Sequence, residues 1–78
     1  MAMNLGAYLE RDDETLAGAT RIKGTRLSVD FILGLFEQGW LEHDVLENYP
    51  QLTPEALQAV FALARRSLQA EQLFPFAS

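Results

Sequence analysis

Cysteine is absent, histidine occurs once, and only six residues carry a positive charge. Without cysteine there are no disulfides, thiolate metal ligands or thiol nucleophiles, a composition that fits a reducing compartment. The single histidine, His43, stands among Glu42, Asp44 and Glu47 on what should be the exposed face of a helix. A solvated surface, rather than a catalytic centre, is the expectation, and the chain is read as not an enzyme. The acidic run Asp12, Asp13, Glu14 lacks the alternating oxygen ligands and central glycine of a calcium loop. The glycines in GAYLERDDE and LAGATRIKG lack phosphate-cradling spacing. No cofactor, metal or small-molecule ligand is therefore expected. The opening MAMNLGAYLERDDE has no basic leader region and no apolar run of membrane-spanning length, so a soluble, cytoplasmic protein without membrane association is expected.

What is present bounds the rest. The chain has 78 residues, of which 49% are hydrophobic, and a net charge of −5. That length fits one small domain, residues 1–78, with a real core but marginal stability, since a chain this short buries only roughly 60 to 65% of its unfolded surface. Self-association is an inexpensive remedy, and a homodimer is expected. A net acidic balance argues against bulk attraction to nucleic acid, so any such contact must use a local patch. One stretch qualifies: RIKGTRLSVD, residues 21–30, carries Arg21, Lys23 and Arg26 with no acid before Asp30. From Arg21 to Ser28 the charge is +3, leaving −8 for the other residues.

Periodicity and punctuation predict a mainly α chain preceded by a short strand region at residues 7–27. Met1 to Leu5 show no pattern and should fray; Ala7 to Arg11 read as a short strand. An acidic turn at Asp12 to Glu14 and a loop at Ala17 to Ala19 follow, and Arg21 to Leu27 read as a bent strand or hairpin about Gly24. Ser28 is the expected N-cap of a helix from Val29 to Gln38, with Asp30 favourable at the positive end of its dipole and Gly39 as the stop. Val29, Ile32, Leu33 and Phe36 make its core stripe. Phe31 and Leu35 form a second apolar strip assigned to another copy or a partner, the alternative being a wholly buried helix or even a buried strand. A short helix spans Glu42 to Asn48, with Val45, Leu46 and Tyr49 inward, Trp40 at the corner and Pro50 as the terminator. Thr53, Pro54 and Glu55 start the third helix, whose stripe is Leu57, Val60, Phe61, Ala64 and Leu68. Arg65 and Arg66 lie toward its negative end. The three-helix core is placed at residues 28–70 and an apolar tail at 71–78, with Leu73, Phe74 and Phe76 expected to dock on something.

Helix, Gly39, short helix, turn, longer helix has the spacing of a helix-turn-helix module. Exposed positions at the start of the last helix would be Gln51, Thr53, Glu55, Gln58 and Ala59. Gln58 could read an adenine edge, but no Lys or Arg precedes Arg65 on this helix, so a packing scaffold is favoured. The other route to nucleic acid is the basic stretch, because Arg21 and Lys23 would share one face of an extended ribbon. The competing reading is a strand edge whose charges discourage aggregation. Arg26 could instead form a bidentate ion pair with a carboxylate.

Ile22-Lys23-Gly24-Thr25-Arg26-Leu27, then Val29, Ile32-Leu33, Leu35, Gly39, Val45-Leu46, Tyr49-Pro50, Leu52-Thr53-Pro54-Glu55 and Leu57 resemble the bacterial domain of unknown function 433 family, over roughly Thr20 to Ala64. The most specific pieces are the Gly-Thr-Arg step and the Tyr-Pro-x-Leu-Thr-Pro-Glu run. The resemblance implies a homeodomain-like, helix-turn-helix antitoxin of a toxin-antitoxin system, a dimer with its N-terminal strands in the dimer region, that neutralises a PIN-like ribonuclease toxin; its own operator DNA is a further candidate ligand. Alternatives are a stand-alone DNA-binding repressor and a dimerisation scaffold. Partner or nucleic-acid contacts fall to Arg21, Lys23, Arg26, Gln58, Arg65 and Arg66, with Phe31, Leu35, Leu73, Phe74 and Phe76 as interface residues. The chain departs from the family pattern at Leu41, in place of a serine N-cap, at Ala56, in place of an acid, and at Gly18-Ala19-Thr20, in place of Gly-Lys-Pro.

Overall fold

The computed structural model describes residues 3–11 and 20–71, with the side chains of 70 and 71 excepted. The acidic turn at Asp12 to Glu14, the loop at Ala17 to Ala19 and the tail residues Leu73, Phe74 and Phe76 lie outside the described residues. Three helices follow a two-stranded antiparallel hairpin, so the mainly α class with an N-terminal β element is correct. The elements are a 3-10 turn at Leu5–Ala7, β1 at Leu9–Arg11, β2 at Thr20–Ile22, α1 at Val29–Glu37, α2 at Glu42–Asn48 and α3 at Pro54–Glu71.

The N-terminal segment does not run as one strand. Asn4 caps the 3-10 turn, its side chain accepting from the Gly6 amide, so Ala7 and Tyr8 are taken up by a turn and the strand begins only at Leu9. In the hairpin Leu9 faces Ile22, Glu10 faces Arg21, and Arg11 faces Thr20. Because side chains alternate across a strand, the Leu9 and Ile22 pair points into the core and Glu10 and Arg21 point out of it.

Helix ends follow local chemistry. The Ser28 hydroxyl accepts from the Phe31 amide at 3.0 Å, which starts α1 one residue later with Asp30 in its first turn. At the other end the Trp40 amide reaches the Leu35 carbonyl at 3.1 Å and the Gly39 amide reaches that of Phe36 at 3.0 Å. This pair of reverse bonds needs a left-handed residue between them, which Gly39 supplies at φ 100°. The Thr53 hydroxyl accepts from Ala56 at 3.1 Å and Pro54 opens α3. Leu41 caps α2 without any side-chain acceptor. Only the Asp44 carboxylate reaches back, taking the Leu41 amide at 2.9 Å.

Each helix sends one fully buried β-branched residue to the centre: Ile32, Val45 and Val60. Leu35, expected on the outer strip, is instead buried in this core, so within one copy it is not available to a partner. The helix is short and packed on two sides, by α3 and by β2, which draws in a wider apolar arc than one stripe. The α3 stripe is also rotated from expectation. Ala56 and Ala59 are buried with Leu57 and Val60, whereas Phe61 and Leu68 are 44% and 61% exposed. Ala59, placed on the reading face from sequence, is thus a core residue. α3 also packs on β1 and the 3-10 turn, contacts that helical periodicity does not reveal.

Replacing the exposed Leu41 with serine should complete the missing half of the α2 cap. A gain of about 1 kcal/mol is expected, which corresponds to roughly 4–8 °C in a thermal melt of a domain this size.

Candidate functional site

The basic stretch folds as a tight turn leaving β2. Ile22 is buried and its amide bonds the Leu27 carbonyl at 2.9 Å, closing a loop over Lys23, Gly24, Thr25 and Arg26. Gly24 takes φ 79°, and a Cβ there would meet nothing within 4 Å, so the glycine answers a backbone requirement and not a steric one. Thr25 is a double staple. Its hydroxyl donates to the Ile22 carbonyl at 2.9 Å and accepts from the Leu27 amide at 3.0 Å. Two of the three residues in Gly24-Thr25-Arg26 are therefore accounted for by the turn itself.

The basic side chains have separate fates. Arg21 pairs across the hairpin with Glu10, Nε to Oε2 at 3.3 Å, both side chains partly exposed. The same Glu10 oxygen lies 3.4 Å from the Gly24 amide. Lys23 lies beyond the end of β2, and its Nζ donates to the Gly6 carbonyl of the 3-10 turn at 2.8 Å. The expected ribbon face shared by Arg21 and Lys23 is thus not formed, because the strand ends at Ile22. Arg66 donates from Nη2 to the Met3 carbonyl at 3.3 Å and fastens the N-terminal segment to α3. Arg26 differs from all of these. It is exposed at the turn and, among the described residues, forms no hydrogen bond or ion pair.

Gln58 and Arg65 are exposed on α3. Gln58 lines a small hollow with Phe36, Glu42, Pro54, Leu57 and Phe61. A larger groove of about 410 Å³ runs between α1 and α3 from Val29, Asp30 and Leu33 to Leu63, Ala64 and Ser67, with Arg11 and Thr20 at its rim. The candidate cations are thus spread over the hairpin turn and the α3 flank. Phe31 is 41% exposed, as its place on the outer strip of α1 requires.

Charge is segregated along the chain. From Leu27 to Ala64 there is no Lys or Arg, and six acids occur, Asp30, Glu37, Glu42, Asp44, Glu47 and Glu55. This covers α1, α2 and the first half of α3, the part of a helix-turn-helix that would meet phosphates. Among the described residues, no group of three or more His, Asp or Glu side chains is placed to hold a metal ion. His43 is exposed, with Nε2 3.4 Å from Asp44 Oδ1. No helix among the described residues is long and apolar enough to cross a membrane.

Two functional details escaped the sequence. Glu10 anchors both Arg21 and the turn backbone, which depends on a register set across residues distant in sequence. Asn4 as a cap was legible in principle, since an asparagine before a short helical turn is a good N-cap, but the turn has no periodicity to announce it.

The turn makes separable predictions. Thr25→Val should cost about 1–2 kcal/mol by leaving the Leu27 amide without its acceptor, the Ile22 carbonyl keeping the residue-25 amide at 3.0 Å. Arg26→Ala should stay within about 0.5 kcal/mol of the parent. Parallel thermal or urea melts would check both.

A model of the family described as "Protein of unknown function (DUF433)" matches residues 9–64, which takes in the hairpin, the turn and most of the helices. No curated protein and no solved structure matches the chain.

Proposed function

The chain belongs to the DUF433 family, and from that premise we propose that it acts as a non-enzymatic, antitoxin-like module whose Arg26 engages carboxylates of a PIN-like ribonuclease partner. The observation that carries this reading is the state of Arg26. Gly24 and Thr25 build the turn, Glu10 and Lys23 tie it down, and of the three cations in this stretch, Arg21, Lys23 and Arg26, only Arg26 is exposed without a partner among the described residues. A guanidinium on a fixed backbone loses little freedom on binding, and its planar fork matches a carboxylate pair. Set among the acidic ligands of a metal-dependent nuclease, it would occupy the place of the metal charge.

DNA is the less favoured ligand. The acidic run over α1, α2 and the start of α3 repels phosphates, and Arg21, Lys23 and Arg66 are already engaged within the chain. A homodimer would pack through Phe61 and Leu68, exposed and one heptad apart on α3.

Co-expression with the product of the neighbouring open reading frame, followed by a pull-down, tests the proposal. A stable complex with a nuclease-like protein is expected, and Arg26→Ala should weaken it roughly 30-fold or more, the consequence of removing one side of a buried charge pair. No complex with any adjacent nuclease-like product would sink the reading. A salt-sensitive mobility shift on upstream DNA, lost when Arg21, Lys23 and Arg26 become Ala, would replace it with a repressor. Light scattering over a concentration series checks the dimer, which a monomer throughout would remove.

A further inference from the structure

We infer that the joined rings of Phe31, Tyr49 and Trp40 form a second docking surface, for an extended, arginine-bearing segment of a protein partner. The rings are in series. Phe31 meets Tyr49 edge-on with centroids 5.7 Å apart and planes at 85°, and Trp40 lies tilted against Tyr49 at 6.4 Å. None of the three is buried, and Phe31 is 41% exposed. Beyond Trp40 the surface opens into a hollow of about 340 Å³ lined by Gln38, Gly39, Asp44 and Asn48. A single exposed ring is ordinary, but the exposed Phe31 in contact with the half-buried Tyr49, itself against the half-buried Trp40 at the edge of a polar hollow, makes a larger aromatic patch open to solvent among the described residues.

Charge decides the occupant. The segment that carries these rings, residues 27–64, contains six acids and no Lys or Arg. Asp30, Glu37, Glu42, Glu47 and Glu55 are exposed, and Asp44 lines the hollow itself. A polyanion is repelled there, and so is the matching acidic face of a second copy, whose residues 27–64 likewise carry six acids and no Lys or Arg. A cation is favoured twice, by the electron-rich faces of the rings and by the carboxylates around them. Arginine suits the site better than lysine, because its planar head stacks on a ring while its edge donates to carboxylate and amide oxygens. Asn48 Nδ2 is committed to the Asp44 carbonyl at 2.8 Å, which orients the amide and leaves its oxygen as an acceptor. The residues of this surface are not those of the turn that presents Arg26, and their surroundings carry the opposite charge.

Trp40 is the only tryptophan, so its emission reports directly on the site. The full chain is titrated near physiological salt, where bulk attraction is screened, with an eight-residue peptide of alternating arginine and glycine and with its lysine counterpart. A saturable change in Trp40 emission with the arginine peptide is expected. Phe31→Leu, which keeps apolar volume while removing the ring, should weaken it about 2- to 5-fold, and so should exchanging arginine for lysine, as loss of an exposed cation–ring contact dictates. Arg26→Ala should leave the titration unchanged, which separates this result from the fate of the Arg26 proposal. Absence of a saturable change, equal affinity for the two peptides, an unaltered affinity in a folded Phe31→Leu variant, or Trp40 emission that follows protein concentration without peptide would each overturn the inference.

Discussion

The register of a ribbon three residues long governs what this protein presents. Leu9 lies opposite Ile22, both are buried, and a slip of one residue would carry both apolar side chains to the solvent face. Once that pair is placed, Glu10 must stand opposite Arg21 on the outer face, near enough to reach the Gly24 amide beyond the strand end. The chain then has four residues in which to turn back to Leu27, which calls for a left-handed Gly24 and makes the Thr25 hydroxyl useful at both its donor and acceptor sites. Arg26 is outward because every inward position in the turn is taken.

The remaining charges follow from the same economy of space. In so small a chain the core has room for apolar atoms alone, and no polar or charged residue is buried among the described ones. Arg21 and Lys23 are taken up by Glu10 and by the Gly6 carbonyl of the 3-10 turn, and Arg66 ties Met3 to α3. Acids occupy the surface of the helices. The outcome is an acidic helical surface and a turn that presents Arg26, an arrangement that offers little to bulk binding of nucleic acid.

What was legible in the sequence is what is decided within a few residues. Ser28, Gly39 and Thr53-Pro54 mark their helix ends because capping bonds span only two to five positions. Ile32, Val45 and Val60 followed from periodicity. The misplaced residues all depend on which neighbour arrives from far along the chain. Leu35 is buried where α1 is covered on two sides, and Ala59 lies in the core on a helix that packs on α1, β1 and the 3-10 turn. Within the candidate site the glycine and the basic triplet could be read directly. That Arg21 and Lys23 are engaged while Arg26 is not rests on Glu10 and Gly6, residues with no signal of their own.

The bond from Arg66 to the Met3 carbonyl joins positions 63 residues apart, and α3 is also the helix that covers β1. During synthesis, at roughly 5–20 residues per second, the first strand leaves the ribosome seconds before its covering helix exists. Leu9 and Ile22 must wait through that interval as a bare two-residue apolar patch. A ribbon edge bearing Glu10 and Arg21 is a poor template for a neighbouring nascent chain. The two charged side chains that position the turn in the finished protein therefore also disfavour pairing between unfinished ones.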